Sequence, residues 1–451
     1  MKPKHIHFIG ICGVAMSALA IAFNKAGWHV TGSDAGFFPP VSTNLEKHKI
    51  SFYPGWHADK MCSDGNPDLV VVGNVASSAN SEWKYVQEHK IKYLSYPEAI
   101  AKYFVQKNSI VCAGTYGKTT TSTLLSWILT QNNYNPNYMF GGLAVNKNFS
   151  SAALADGNYS ILEGDEYKSS RWDNNPKFSH YSPTHLLLTA IKWDHADIYP
   201  TENNYFDAFK KLAKSIPQKG MAIVSENIKE DTVSLFNCPV IKYGDNHGDY
   251  KYANIKQTKE GLKFDILHKD STYHIFTPML GKFMAENITG CFALAHQIGI
   301  EPENIIKSVA EFFGIKRRLQ KRNVVSVTIF DDIAHSPAKA SFTLKTLREI
   351  YKNSKIFAIF EPNTGNRQPN SADGYKDAFE YADQVIIPRL TKIKIDPNKS
   401  KPFDGQHLTQ IISKTHTNVK YIEDDKKLLS YIKEKTQNQD VVVFLGSHGF
   451  R

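Results

Sequence analysis

The sequence predicts an α/β protein of three successive strand-and-helix blocks, and three observations carry that prediction. Short apolar strands restart at Lys4, at Ser109 and near Val324, each followed by helical patterning. The first two strands run straight into glycine-bearing loops. A chain of 451 residues with 41% hydrophobic side chains also exceeds what a single core usually serves. The blocks are expected at 1–107, 108–315 and 316–451.

The first block opens with a strand over 4–9, followed by Gly10-Ile-Cys12-Gly13-Val-Ala-Met16 and a run of small and apolar residues that suits a helix packed on a sheet. A second strand over 28–31 leads to Gly32-Ser33-Asp34. The acid falls 24 residues after Gly10, near the spacing at which a dinucleotide fold places its ribose-binding carboxylate. Cys12 and Ala15 replace the second and third glycines of G-x-G-x-x-G, so NAD is weakly indicated. A diphosphate at the helix N-terminus fits as well, because Gly10 and Gly13 are expected to leave backbone N–H groups accessible. A strand over 68–73 and the segment 93–100 complete this Rossmann-like block.

The second block carries the most informative stretch. Ser109-Ile-Val-Cys112-Ala-Gly114-Thr-Tyr-Gly117-Lys118-Thr119-Thr120 reads as a buried strand, a tight loop and a helix beginning near Thr119, the build of a phosphate-binding loop. Gly114 and Gly117 let the backbone turn its N–H groups around a polyphosphate, Lys118 reaches the β/γ phosphates and Thr119 is placed to ligate Mg²⁺. Cys112 stands where the full pattern has its first glycine. A strand over 159–163 delivers Glu163, Asp165 and Glu166 at its end, and a neighbour over 185–189 leads to Trp193-Asp194-His195. Strand ends of this kind gather the ligands of nucleotide-bound Mg²⁺, and Glu163 reads as a ligand in preference to a solvated carboxylate. Alternating patterns over 241–280 predict antiparallel hairpins at a sheet edge, and 281–299 predicts a helix.

After the linker Gly314-Ile-Lys316-Arg317-Arg318, strands over 324–330, 355–360, 384–387 and 441–445 define a second Rossmann-like block. The polar loop Glu361-Pro-Asn-Thr-Gly-Asn-Arg367 can shape a charged pocket; Arg367 either meets a ligand carboxylate or is a solvated loop residue.

Composition narrows the function classes. The net charge is +10, from 54 Lys and Arg against 44 Asp and Glu, but the lysines are dispersed and no basic block carries interleaved aromatics, so no nucleic-acid partner is expected. Anionic small substrates fit this charge. No apolar run approaches a membrane span, and five scattered cysteines form neither a disulfide framework nor a zinc cluster. A cytoplasmic protein without a membrane partner, monomeric or weakly dimeric, is expected.

The separated motifs together resemble the Mur ligases of peptidoglycan synthesis, over essentially the whole chain. They are Gly10 to Met16, Gly32-Ser33-Asp34, Gly114 to Thr120, Glu163-Gly-Asp-Glu166, Asp194-His195, Asn287, Lys316-Arg-Arg318 and Asp331-Asp332-Ile-Ala-His335-Ser336-Pro337. Four features look more like the branch that recycles peptides, joining UDP-N-acetylmuramate to L-alanyl-γ-D-glutamyl-meso-diaminopimelate, than the branch that adds L-alanine. They are the Gly-Ile-Cys-Gly loop, Pro39-Pro40-Val-Ser-Thr43, Glu-Gly-Asp-Glu-Tyr167, and Lys177-Phe178 with His180-Tyr181 ahead of Asp194-His-Ala-Asp-Ile198.

The resemblance implies a three-domain architecture with a P-loop ATPase-like centre and an acyl phosphate mechanism. Lys118, Glu163 and His195 would be catalytic, and Thr119, Glu163 and His195 would hold Mg²⁺. ATP would be bound by Gly114, Thr115, Tyr116, Gly117, Lys118, Thr119, Thr120, Asn287, Arg317 and Asp332. Gly10, Cys12, Gly13, Ser33 and Asp34 would hold the UDP-sugar, while His335, Ser336 and Arg367 would face the incoming peptide. The chain departs from the family at Tyr116 and Ser336, where His is usual, and at Phe283-Met284, which replace His-Asn of the adenine-side motif. A Mur-like UDP-sugar sensor without catalysis is the competing class.

Overall fold

The computed structural model describes residues 3–193, 198–322, 326–391 and 401–446. They divide into two compact units. One comprises 1–255, 263–277 and 283–313; the other comprises 256–262, 278–282 and 314–451.

The first unit holds two sheets. Strands β1 (His5–Ile9), β2 (His29–Asp34), β3 (Ser51–Pro54), β4 (Leu69–Val72) and β5 (Tyr93–Ser95) form a parallel sheet in the order β3-β2-β1-β4-β5. The order reverses between β1 and β4, which opens a crevice at their C-terminal ends. The second strand runs through Gly32 and Ser33 to Asp34, further than its apolar pattern indicates, because β1 and β3 both pair with that polar end.

The second sheet begins with β6 (Asn108–Ala113), β7 (Asn137–Met139), β8 (Ala152–Ala153), β9 (Tyr159–Gly164), β10 (His185–Leu188), β11 (Met221–Ser225) and β12 (Val240–Gly244). It is extended by β13 (Tyr250–Gln257), β14 (Leu262–His268) and β15 (Ser271–Thr277), in the order β15-β14-β13-β12-β11-β10-β6-β9-β7-β8. The expected edge hairpins fall at β13 to β15, while β12 belongs to the parallel run. Ile110 to Ala113 are all fully buried, as a central parallel strand requires.

The helix Lys118–Gln131 is rich in Thr and Ser, poor helix formers. Burial compensates, and the hydroxyls it removes from water are satisfied within the helix: Ser122 Oγ, Thr123 Oγ1, Ser126 Oγ and Thr130 Oγ1 donate to carbonyls four residues earlier at 2.8, 2.6, 2.7 and 2.7 Å. One apolar cluster runs through both sheets, joining Phe8, Phe23, Val71 and Phe104 to Val111, Leu162, Leu186 and Phe209. Asn137 Nδ2 donates to Phe104 O at 3.0 Å and Gln106 N to Ser160 Oγ at 3.2 Å across the same join.

Histidines line the outer end of the first sheet. His5 and His7 each bond Thr31 Oγ1 at 2.8 Å, and the His5 and His29 rings lie 4.7 Å apart. Burial, followed by the neighbouring His29 and His7, lowers the His5 pKa from 6.5 to about 4, against the pull of Asp64 and Asp68. A histidine depressed in the fold binds its proton more readily when unfolded, so stability is lost as pH falls from 6.5 through 4. Urea midpoints at neutral pH and near pH 4.5 should fall further for the native protein than for His5→Gln. Equal falls would remove His5 as a cause.

The second unit is built on β16 (Gln320–Arg322), β17 (Thr328–Asp332), β18 (Ile356–Glu361), β19 (Gln384–Pro388), β20 (Val419–Ile422) and β21 (Val441–Gly446), ordered β16-β17-β21-β18-β19-β20. Only β16 pairs antiparallel among these described strands. Phe330, Leu344, Phe360, Phe379 and Val443 centre its core. No helix among the described residues is long and apolar enough to cross a membrane.

Candidate active site

The turn between β6 and the helix Lys118–Gln131 is a braced phosphate loop. Gly114 has φ 134° and Gly117 φ 81°, conformations that favour glycine. Neither position has room for a side chain. A Cβ on Gly114 would lie 2.3 Å from Thr189 Oγ1, and one on Gly117 would lie 2.5 Å from Asn287 Oδ1. Thr115 N donates to Ala190 O at 2.8 Å, and Thr115 Oγ1 bonds Lys192 O and the Tyr205 hydroxyl at 2.9 Å each. The Thr189 hydroxyl donates to Tyr116 O. The end of β10 thus clamps the loop from one side, and Asn287, on the helix Phe283–Gln297, covers its turn. Thr120 is buried in the first helical turn, whereas the Tyr116 ring is exposed.

The end of β9 supplies the opposing charge. Lys118 Nζ donates to Gly114 O at 2.8 Å and lies 3.0 and 2.9 Å from the two carboxylate oxygens of Glu166, which is 1% exposed. Thr119 Oγ1 donates to Glu163 Oε1 at 2.8 Å, and Gly141 N to Glu163 Oε2 at 2.6 Å. Thr119 and Glu163 form an all-oxygen donor set, the chemistry Mg²⁺ prefers. His195, the third expected ligand, and Asp194 lie outside the described residues. Among the described residues no three His, Cys, Asp or Glu side chains form a metal-binding group.

Burial pushes the Asp165 carboxyl up, but Lys177 at 2.5 Å outweighs it and holds the group below its ordinary range. Burial, then the charges of Glu166 and Asp165, push the Tyr199 hydroxyl up to about 12, so it stays protonated and donates to Glu166 O.

In the first sheet the loop after β1 is tied down differently from the expectation. Gly10 N and Ile11 N both donate to Ser33 O, at 2.8 and 3.0 Å, and Cys12 N donates to Asp34 Oδ2 at 2.8 Å. The Gly10 N–H is therefore committed, and the first open donors are those of the helix Val14–Lys25, whose first residue is half exposed. Gly13 precedes that turn as its N-cap. Ser33 does not face the crevice with its side chain, which is fully buried and donates to Glu82 Oε2 at 2.5 Å. Asp34 fixes the loop with both oxygens, since Oδ1 accepts from Ala35 N at 2.7 Å. Burial, then Asp34, raise the Cys12 thiol to about 11, which keeps it neutral.

Glu82 is the hidden element here. Fully buried, it accepts from Ser33 Oγ, from the Tyr53 hydroxyl at 2.6 Å and from His57 N at 2.8 Å, with His7 Nε2 at 3.6 Å.

In the second unit, Arg317 takes φ 61°, its Nε faces Asp331 Oδ1 at 3.4 Å and its guanidinium donates to Gly446 O. Asp332 accepts from Leu319 N at 2.6 Å and Ala334 N at 2.8 Å; burial nevertheless raises its pKa. His335 joins two loops, its ring bonding Ile333 O and its carbonyl accepting from Asn363 N. Two of the residues expected to face the peptide are also engaged locally. Ser336 caps the helix Pro337–Ile350, its hydroxyl accepting from Lys339 N at 3.4 Å, so its small size serves the helix start. Arg367 is not solvated: it is 9% exposed, and Nε and Nη1 donate to Phe403 O and Thr391 O at 2.9 and 2.8 Å.

A phosphate loop with a paired lysine and oxygen donors, set in a central sheet and accompanied by one parallel and one mainly parallel sheet, defines a nucleotide-using α/β enzyme. Comparison with known proteins gives the family. Models described as "Mur ligase family, catalytic domain", "Mur ligase middle domain" and "Mur ligase, glutamate ligase domain" match residues 5–107, 112–295 and 317–448. The chain is 33% identical to the UDP-N-acetylmuramate--L-alanyl-gamma-D-glutamyl-meso-2,6-diaminoheptandioate ligase of Haemophilus influenzae, covering 85% of each. It is 28% identical to the UDP-N-acetylmuramate--L-alanine ligase of Bartonella bacilliformis, over 98% of this chain and 93% of the other. The crystal structure of a murein peptide ligase from Psychrobacter arcticus aligns with a TM-score of 0.71 at 26% identity, over 99% of this chain and 96% of that one. The protein belongs to the Mur ligase family.

Proposed function

We propose that this Mur ligase joins UDP-N-acetylmuramate to L-alanyl-γ-D-glutamyl-meso-diaminopimelate in peptidoglycan recycling, with ATP converted to ADP and phosphate. The observation that carries the reading is the meeting of Lys118, Thr119, Glu163 and Glu166 at the phosphate loop, in a chain whose relatives include ligases of that name.

In this reading residues 1–107 hold the UDP-sugar, 108–315 hold ATP and 316–451 receive the amine. Gly10, Cys12, Gly13, Ser33 and Asp34 shape the nucleotide-sugar loop. Gly114, Thr115, Tyr116, Gly117, Thr120 and Asn287 build the phosphate cradle, while Arg317 and Asp332 serve the nucleotide and His335, Ser336 and Arg367 frame the peptide pocket. Thr119, Glu163 and His195 would hold Mg²⁺, which supplies neutralisation of charge on the transferring phosphoryl group. Lys118 exchanges the Glu166 carboxylate for phosphate oxygens, so its charge is already oriented when ATP arrives. The γ-phosphoryl group passes to the lactyl carboxylate, the peptide amine attacks the acyl carbon, and phosphate leaves from the tetrahedral adduct.

Side-by-side kinetics on the two amines test the proposal. The tripeptide should show the higher kcat/KM. A preference for free L-alanine of about tenfold, worth about 1.4 kcal/mol, would assign the chain to the alanine-adding branch. Silence with every amine beside tight UDP-sugar binding would favour the non-catalytic sensor.

A further inference from the structure

The chain leaving β9 beyond Glu166 forms a small knot whose tip reaches the first sheet. Ser169 N and Oγ both donate to Asn175 O, at 2.9 and 2.8 Å, and Ser170 N donates to Asp173 O at 3.1 Å. Asp173 is held in turn by His180 at 2.7 Å. Ser169 and Ser170 are buried, so the knot is rooted in the central domain. At its tip Arg171 Nε donates to Asn74 O at 2.9 Å. Trp172 stacks on Trp83 with centroids 5.2 Å apart and planes at 15°, and meets Tyr93 edge-on at 5.8 Å.

This tip stands at the rim of the crevice between β1 and β4. Asn74 follows Gly73 just after β4, and the next residue, Val75, lies so close to Gly10 that a Cβ there would be 2.6 Å from Val75 Cγ2. The Arg171 side chain is exposed, and one of its five donors, Nε–H, has a partner among the described residues. It is also the sole arginine of residues 1–316, so the first block contains no guanidinium of its own. The loop donors of Gly10, Ile11 and Cys12 are already committed, which leaves an anion the open N–H groups and partial charge of the helix start, with no full charge from the loop.

We propose that Arg171 is a substrate-binding residue, donating its two Nη groups to the diphosphate of the nucleotide sugar held in the first block. Phosphate oxygens suit its planar fork, and its bond to Asn74 O, with the neighbouring Trp172 stacked on Trp83, holds it ready. The inference rests on the UDP-sugar reading of that block. It adds a structural link: Arg171 lies five residues beyond Glu166, so one short rooted segment ties the phosphate-loop lysine to the diphosphate.

Calorimetric Kd values for UDP, UDP-N-acetylmuramate and ADP, on native protein, Arg171→Ala and Arg171→Lys, test it. Arg171→Ala should weaken UDP and UDP-N-acetylmuramate alike, by about tenfold or more, with Arg171→Lys recovering part and ADP unaffected. Near-ultraviolet circular dichroism of the stacked Trp83 and Trp172 shows whether the tip stays in place. Weakening of UDP-N-acetylmuramate alone would move the contact to the sugar's carboxylate and overturn the diphosphate assignment. Unchanged binding of both would leave Arg171 as a clasp, and equal weakening of ADP would mark a general disturbance; either overturns the proposal. If the native protein binds neither uridine ligand, the reading of the block itself is wrong.

Discussion

Lys118→Ala should abolish turnover, lowering kcat by about a thousandfold or more, while the Kd for UDP-N-acetylmuramate stays nearly constant. In the proposed mechanism the lysine acts on charge that develops at the transferring phosphoryl group, and among the described residues its ammonium bonds Gly114 O, Thr115 O and Glu166. The substitution has a second effect. It removes the ammonium paired with the Glu166 carboxylate, which is 1% exposed, and breaking one side of a buried pair costs about 3–5 kcal/mol. The double variant with Glu166→Gln should therefore regain stability without regaining turnover. Single-turnover phosphate release and urea midpoints on the two variants separate the effects. Turnover returning with stability would make Lys118 a structural residue only.

Glu82→Ala should cost about 3 kcal/mol of stability, because two hydroxyls and a backbone N–H, all donating to one buried carboxylate, lose their acceptor together. Glu82→Gln should cost less, since the amide oxygen still accepts. Burial pushes the Glu82 carboxyl up, but His7, Ser33 and Tyr53 outweigh it and hold its pKa below the ordinary 4.5. A carboxyl depressed in the fold stabilises above its unfolded value, and that contribution is lost as pH falls through the folded one. The Ala penalty, measured by urea unfolding, should thus shrink below about pH 4. A pH-independent loss smaller than about 1 kcal/mol would show that the network carries no charge. UDP affinity should drop too, because Ser33, the residue Glu82 grips, holds Gly10 and Ile11.

What the sequence revealed was local, and what it hid was mostly long-range. The phosphate loop is legible because glycines, lysine and threonine sit within seven residues between a buried strand and a helix. Glu163 is legible as the acid at a strand end. Glu166, 48 positions from Lys118, reads as one more carboxylate until folding brings the two together. Glu82 looks like a favourable acid in a first helical turn, and nothing in its neighbours announces full burial. Arg367 gave two alternatives, a ligand partner or a solvated residue; burial removes the second, and the bonds of its Nε and Nη1 to backbone carbonyls 36 and 24 residues away were not legible. Ser336 is different in kind: serine directly before Pro337 is a helix-start pattern, local and legible in the sequence.

The apolar cluster shared by the first two sheets changes what counts as a separable piece of this enzyme. A cut at residue 107 follows the proposed division of chemical labour, yet it would bare Phe8, Phe23 and Phe104 on one fragment and Val111 and Leu162 on the other. It would also sever the bonds from Asn137 to Phe104 and from Gln106 to Ser160. The first block is thus not a portable module, whatever it binds. Any chimera that exchanges it for a relative's must carry the facing residues of the central sheet along with it.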